Sequence, residues 1–380
     1  MATKKADTTV GYALRVLGNL NKFEERVRDT PVLELLSPVR KQPLPDEGEL
    51  ELLGGGLEGI GGLEMAGPVG EDDFDLPGGE SPELAAERRR VVEAGRKAVT
   101  KLKKSGRSVE LTPDEEQGLE AIILLTERPA ILIQDGQFLP PPQEWKKLEG
   151  VRAQIEANLP RIGRIELDGH PSMEWIGTGF LVADTVVMTN RHVAKVFCKQ
   201  SGKKWVFEPG MTPRIDYNEE LGATRPAEFA ITGVVGIHEK YDMALLTVSR
   251  KGSKSAQAPD ALPVAKEPEL VKKREVYVVG YPAADPYRND PENMRRIFSG
   301  IYNVKRLQPG GLMTIDANLP ILQHDCSTLG GNSGSCVIDL ETHQVVGLHF
   351  GGRYRQANSA VVLSRLIKDP LVKKAKIAFA

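Results

Sequence analysis

Ser333 stands in the run Cys326-Ser327-Thr328-Leu329-Gly330-Gly331-Asn332-Ser333-Gly334-Ser335-Cys336, where glycines flank it closely on both sides. Glycine permits a tight turn that lifts a hydroxyl clear of the chain while the turn's own N–H groups point at the atom being attacked. Ser333 is therefore a candidate nucleophile. A serine hydroxyl is weak unaided and needs a base to take its proton and a carboxylate to hold that base. Both residue types occur upstream: His192 in Thr189-Asn190-Arg191-His192-Val193, after the apolar run Val186-Val187-Met188, and Asp242 in Tyr241-Asp242-Met243-Ala244-Leu245-Leu246.

With Gly177-Thr178-Gly179-Phe180-Leu181-Val182 added, the four pieces fall in an order that resembles the chymotrypsin-like serine peptidases, which place histidine, aspartate and serine in that succession. The intervals are 50 residues from His192 to Asp242 and 91 from Asp242 to Ser333. They suit one half-molecule carrying base and carboxylate and a second carrying the nucleophile. Within the family, Ser327 to Ser335 and Gly347-Leu348-His349-Phe350-Gly351-Gly352 are similar to the glutamyl endopeptidases and related bacterial trypsin-like peptidases. The resemblance covers about residues 160 to 365.

It implies a triad of His192, Asp242 and Ser333, an oxyanion hole from the N–H groups of Gly331 and Ser333, and protein or peptide substrates. Ser327 occupies the place where enzymes that cut after Arg or Lys carry an aspartate, so no charge awaits a basic side chain there. Thr328 and His349 match the pocket residues of glutamyl endopeptidases, with Gly351 on the substrate-binding edge. Cleavage after Glu or Asp is the resulting expectation, since an imidazole can donate to a carboxylate. The alternative is that His349 belongs to a core strand and is satisfied by backbone. Asn332 precedes the serine where pancreatic-type zymogens carry an aspartate, so activation by a new N-terminal amine is not expected. His170, His238, His324 and His343 lack such context. No His/Cys cluster has metal-ligand spacing, and neither metal nor cofactor is expected.

The elements that must position these groups change character along the chain. From Pro160 onward the apolar period is two, and strands are expected at 161–167, 175–182, 186–189, 204–207, 228–235 and 243–248, then at 276–279, 296–302, 311–315, 336–339, 345–350 and 359–362. Two sets of six allow barrels or sandwiches. The resemblance selects an all-β region of two antiparallel six-stranded barrels, at about 160–255 and 268–365 within a peptidase domain 160–380.

The preceding part reads as helical. Residues 1–41 show a helical spacing at 9–29, and 42–81 form a Gly-rich acidic linker. In residues 82–159, Ser81-Pro82 opens a helix that should end at Gly106, and Thr112-Pro113-Asp114-Glu115 is a capping box. A further helix follows Pro142, with Trp145, Leu148, Ile155 and Leu159 on one face. Residues 42–87 hold thirteen acidic and no basic residues, whereas 88–112 hold nine basic and two acidic. The basic helix is either a solvated face or a dock for the linker.

The formal net charge of −2 argues against bulk nucleic-acid binding, and no apolar run reaches the length of a membrane span. The start Met1-Ala2-Thr3-Lys4-Lys5 lacks a secretory pattern, and the three cysteines, Cys198, Cys326 and Cys336, form no framework. A cytoplasmic location is expected, with the cysteines as small buried thiols. The functional expectation is a serine endopeptidase with a regulatory or recruitment region at its N-terminus, a partner acting through that region, and self-cleavage in the acidic linker after residues such as Glu58, Glu64, Glu71 and Glu80. The alternatives are a peptidase-fold scaffold with partner-gated turnover, or an esterase using the same triad.

Overall fold

The computed structural model describes residue 13 and residues 82–106, 109–123, 127–253, 256–283, 301–353 and 357–380. The expected helix at 9–29, all but one of its residues, and the linker with its glutamates lie outside the described residues.

Helix α1 spans Pro82–Ser105 and α2 spans Pro113–Ile122. The capping box forms as the sequence requires. The Thr112 N–H donates to the Glu115 carboxylate at 2.9 Å, and the Glu115 N–H donates to the Thr112 hydroxyl at 3.3 Å. A hairpin follows, β1 (Ile131–Gln134) and β2 (Gln137–Phe138), turned by Asp135 and Gly136, both at positive φ. Gln143–Val151 is a 3-10 helix and Arg152–Asn158 is α3, and together they bury Trp145, Leu148 and Ile155.

The first barrel is closed by six antiparallel strands: β3 (Ile162–Asp168), β4 (Trp175–Ala183), β5 (Val186–Thr189), β8 (Thr212–Asp216), β9 (Glu228–Ile237) and β10 (Ala244–Val248). Between β5 and β8 lie α4 (Arg191–Phe197) and a separate hairpin of β6 (Cys198–Ser201) with β7 (Lys204–Phe207). Residues 204–207 were expected in the barrel wall, and this is corrected. Their exposed and half-buried side chains make a side ribbon, while Thr212–Asp216, interrupted by Pro213, closes the wall between β3 and β9.

The second barrel joins β11 (Glu275–Gly280), β12 (Arg306–Ile315), β13 (Ile321–His324), β14 (Cys336–Asp339), β15 (Val345–Arg353) and β16 (Ala357–Val362) in a closed ring. The expected strand at 296–302 is a second correction. Residues 301 and 302 are not in a strand and the rest lie outside the described residues, while β13, in which Ile321 and Leu322 precede Gln323 and His324, takes the sixth place. A final short helix, α5, spans Pro370–Lys374.

Strand β11 shows why several strands read as continuous apolar runs. Val276 and Val278 fill the interior of the second barrel, whereas Tyr277 and Val279 face a cluster shared with Phe180, Met188 and Leu245 of the first. Both faces are covered, so both must be apolar. The same cluster takes in Ile131, Ile133, Phe138, Trp145, Leu148, Ile155 and Leu159, so the segment before the barrels is part of their packing. Strand β1 extends the second barrel by pairing Ile131 and Leu132 with β12. Residues 82–159, read as a helical region, thus also supply a strand to the peptidase region. No helix among the described residues is long and apolar enough to cross a membrane.

Candidate active site

The candidate residues sit where the two barrels meet. Thr189 ends β5, and Asn190 turns the chain into α4, whose second residue is His192. Asp242 lies just before β10. Its carboxylate accepts the backbone N–H of His192 at 3.0 Å through Oδ1 and the imidazole Nδ1 at 2.6 Å through Oδ2. The Asn190 amide donates to the Asp242 carbonyl at 2.9 Å. Main chain and ring of His192 are therefore held by one carboxylate, which places the proton on Nδ1. Nε2 is a buried atom with no hydrogen-bond partner among the described residues. Burial works to raise the Asp242 pKa, but the hydrogen bonds and charge of His192 outweigh it and hold the carboxyl below its ordinary value.

Ser333 is fully buried in a loop shaped by two glycines at positive φ, Gly331 at 81° and Gly334 at 90°. Its carbonyl accepts the N–H of Thr178 at 2.8 Å, which ties the loop of the second barrel to β4 of the first. A Cβ on Gly177 would lie 3.0 Å from both that carbonyl and Val193. The Ser333 main chain and the residue after His192 are thus near neighbours across a glycine. A Cβ on Gly334 would lie 2.0 Å from the Thr178 carbonyl, so that position must be glycine.

The two peptide planes beside Gly331 are each fixed. The Gly330 carbonyl accepts the Ala283 N–H at 2.6 Å, and the Gly331 carbonyl accepts the Thr178 hydroxyl at 2.8 Å. Because the peptide is trans and planar, the Gly331 N–H points away from Ala283. Thr178, quoted above only as part of a glycine-rich motif, is a residue that sequence reasoning did not single out. Asn332 is fully buried and accepts from Gln308 at 3.0 Å through its side-chain oxygen. A neutral amide pair therefore fills the position next to the serine.

Of the residues expected in the pocket, Thr328 and Gly351 are half-buried. The Ser327 hydroxyl donates to the Arg128 carbonyl at 2.6 Å and so faces the upstream segment. His349, on β15, is fully buried. Its N–H donates to the Ser335 carbonyl and its carbonyl accepts from the Gly334 N–H, so the main chain beside the serine and His349 are paired directly. Its Nδ1 lies 3.2 Å from Nε2 of His324, another fully buried histidine that no neighbouring sequence marks. Burial pushes the His324 pKa down to about 4 and pushes that of His349 well below its ordinary value, with the charges of His324 and His192 adding to the latter. Both rings are neutral near pH 7. Nε2 of His349 is buried with no hydrogen-bond partner among the described residues. By contrast, His238 is satisfied at both nitrogens, accepting from the Lys240 and Tyr241 N–H groups and facing Asp369 at 3.2 Å. Cys198, Cys326 and Cys336 are free and buried, and burial raises the pKa of each thiol.

Two closed antiparallel barrels with the candidate groups at their junction define the chymotrypsin-like class of serine peptidases. Residues 177–348 match the family described as the trypsin-like peptidase domain. That match spans a little under half of the chain, and the family model together with the relatives' names supports a serine endopeptidase. It is similar to a probable serine protease of Lysobacter enzymogenes, with 24% identity over 337 residues that cover 79% of this chain and 84% of that one. A glutamyl endopeptidase of Staphylococcus epidermidis is 24% identical over 195 residues, 51% of this chain and 60% of that protein. Among solved structures, Deg5 aligns with a TM-score of 0.41 and 16% identity over 59% of this chain and 93% of its own.

Proposed function

We propose that Ser333, His192 and Asp242 form the triad of this peptidase and that the N–H groups of Gly331 and Ser333 receive the oxyanion. Ser333 attacks the peptide carbonyl while His192 takes its proton at Nε2 and later gives it to the leaving amine. Asp242 keeps the ring in the Nδ1–H tautomer and stabilises its charged form. The observation that carries this reading is the double hold of Asp242 on His192, which leaves Nε2 as the one ring atom without a protein partner. A fluorophosphonate probe should label the wild-type chain and leave Ser333→Ala unlabelled. Turnover of Ser333→Ala should fall by about 10⁶-fold, and a labelled Ser333→Ala chain overturns the assignment.

For specificity, we propose a preference for Glu or Asp before the cleaved bond. If the His324 Nε2–H donates to His349 Nδ1, then His349 carries its proton on Nε2 and presents a donor to a substrate carboxylate without itself being charged. The name of the staphylococcal relative agrees with that chemistry. Profiling with Glu, Asp, Arg and Leu peptides should favour the acidic pair, and His349→Ala should remove the preference. Equal cleavage of the Leu peptide by the wild-type chain sinks it.

Self-cleavage follows from such a preference. The glutamate-bearing segment 42–87 has no basic residue and is a matching substrate. Incubated wild-type chain should be nicked there and Ser333→Ala should stay intact. The helices before the barrels are proposed to recruit a regulatory partner. A cytoplasmic setting is supported by three thiols that are all buried and unpaired.

A further inference from the structure

Residues 325–327, at the start of the loop that ends in Ser333, are held from three sides. Asp325 accepts the Gly311 N–H at 2.7 Å through Oδ1, and the Cys326 carbonyl accepts the Asn358 amide at 2.6 Å. Both anchors belong to the second barrel. The third does not. Arg128 donates from Nη2 to the other Asp325 oxygen at 2.6 Å, and its carbonyl receives the Ser327 hydroxyl at 2.6 Å. The side chains of Arg128 and Asp325 are each 12% exposed, so water screens this pair far less than a surface pair. Two residues on, Ala130 packs against Leu329 of the same loop.

Arg128 is itself fixed from the upstream side. Its N–H donates to the Ile123 carbonyl at 3.1 Å, directly after α2, and the Trp145 indole donates to the Glu127 carbonyl at 3.0 Å. The residue lies well outside the 177–348 segment that matches the peptidase family.

We propose that Arg128 is a positioning residue for substrate recognition: through Asp325 and Ser327 it sets the floor of the pocket beside Thr328, so that a segment upstream of both barrels completes the specificity site. This rests on the assignment of the 327–333 loop to substrate binding and catalysis. The charge of Arg128 is balanced by Asp325, so it shapes the pocket rather than pairing with substrate. The same contact gives the helical region a mechanical route to the site. Displacement of Ile123, whose carbonyl accepts the Arg128 N–H, moves Arg128 and with it the carbonyl on which Ser327 rests.

The test uses the full chain as wild type, Arg128→Ala and Arg128→Lys, with Ser333→Ala as control. Three quantities are read: kcat and KM on the best-cleaved peptide, the labelling rate with a small fluorophosphonate that leaves the pocket empty, and the melting temperature. Arg128→Ala should lose on the order of 10²-fold in kcat/KM, mostly through KM, because a displaced floor misaligns the substrate. Its labelling should stay within about threefold of wild type, because the small probe bypasses the pocket. Arg128→Lys keeps the charge with a single donor group and should recover to within about tenfold of wild type. Unchanged kcat/KM in Arg128→Ala overturns the proposal. A parallel fall in labelling and cleavage overturns it too, since Arg128 would then support the whole fold. Failure of the wild-type chain to label at Ser333 is a separate outcome that refutes the triad assignment on which the proposal stands.

Discussion

Replacing Thr178 with valine tests the proposed oxyanion geometry at a fully buried residue. Valine keeps the side-chain shape while exchanging the hydroxyl for a methyl. Two hydrogen bonds go: the one to the Gly331 carbonyl at 2.8 Å, and the longer one from the Tyr281 N–H at 3.3 Å. The shorter dominates, and leaving a buried carbonyl unpaired costs ~1–3 kcal/mol. For a chain of this size that lowers the melting temperature by about 1–4 °C. The effect on rate has a different origin. Gly331 is a glycine at positive φ, free to rotate, and its two peptide planes are held by Ala283 on one side and Thr178 on the other. Removing an oxyanion donor outright costs about 10²–10³ in kcat. Thr178→Val leaves the Ala283 contact in place, so kcat should fall by about 10- to 100-fold with KM nearly unchanged. Thr178→Ser retains the hydroxyl and should stay within about threefold of wild type. Steady-state kinetics on one peptide, together with thermal melts of the three chains, decide the matter. A Thr178→Val chain that melts lower yet turns over at the wild-type rate would show that the hydroxyl supports only the fold, and the argument for a pinned Gly331 would fail.

Asp242→Asn should lower kcat by about 10⁴-fold, because the amide favours the wrong imidazole tautomer; loss of less than tenfold contradicts the role given to the 2.6 Å contact. Gly334→Ala should abolish both labelling and a cooperative melt, since its Cβ would sit 2.0 Å from the Thr178 carbonyl at a φ of +90°. Acid should destabilise the chain through His324, whose folded pKa of about 4 lies below its ordinary 6.5, with Asp325 opposing the shift only in part. The unfolded chain then binds the extra proton, so this contribution is intact above about pH 6.5 and is lost as pH falls toward 4, by ~3 kcal/mol in all. Urea melts across that range should show it, and His324→Phe should flatten the slope; an equally steep slope in the variant rules the histidine out as the cause.

The pairing of His192 with Asp242 could be anticipated because the chemistry demands fixed residue types in a fixed order. The strands that were missed show where such reading stops. Thr212–Asp216 contains a proline, and its three buried residues, Pro213, Ile215 and Asp216, include a charged one, so no apolar alternation registers. Lys204–Phe207 alternates cleanly yet forms an outlying ribbon, because period two reports a strand and not its partner. The β1–β2 hairpin did carry a signal: Asp135-Gly136 between Ile131, Ile133 and Phe138 is a two-residue turn with both φ values positive. His324 carried none. Its role depends on β13 lying beside β16, with β15 next in the ring, a neighbourhood created only when the barrel closes.

That dependence on closure bears on how the site is held. The serine loop owes its shape to contacts from three parts of the chain that are remote in sequence. Thr178 of the first barrel donates its N–H to the Ser333 carbonyl and its hydroxyl to that of Gly331, His349 of the second barrel pairs with Gly334 and Ser335, and Arg128 of the upstream segment supports Asp325 and Ser327. Any one of these can loosen while the other two keep the loop tied to the rest of the fold. On the proposals above, a loop tied in this way can lose substrate alignment without losing the nucleophile, since the main-chain contacts of Thr178 and His349 hold the serine turn itself and Arg128 holds the residues before it. Peptide turnover and probe labelling should therefore separate in variants of the upstream segment and fall together at Thr178 of β4, because Thr178 fixes the Gly331 peptide proposed to receive the oxyanion.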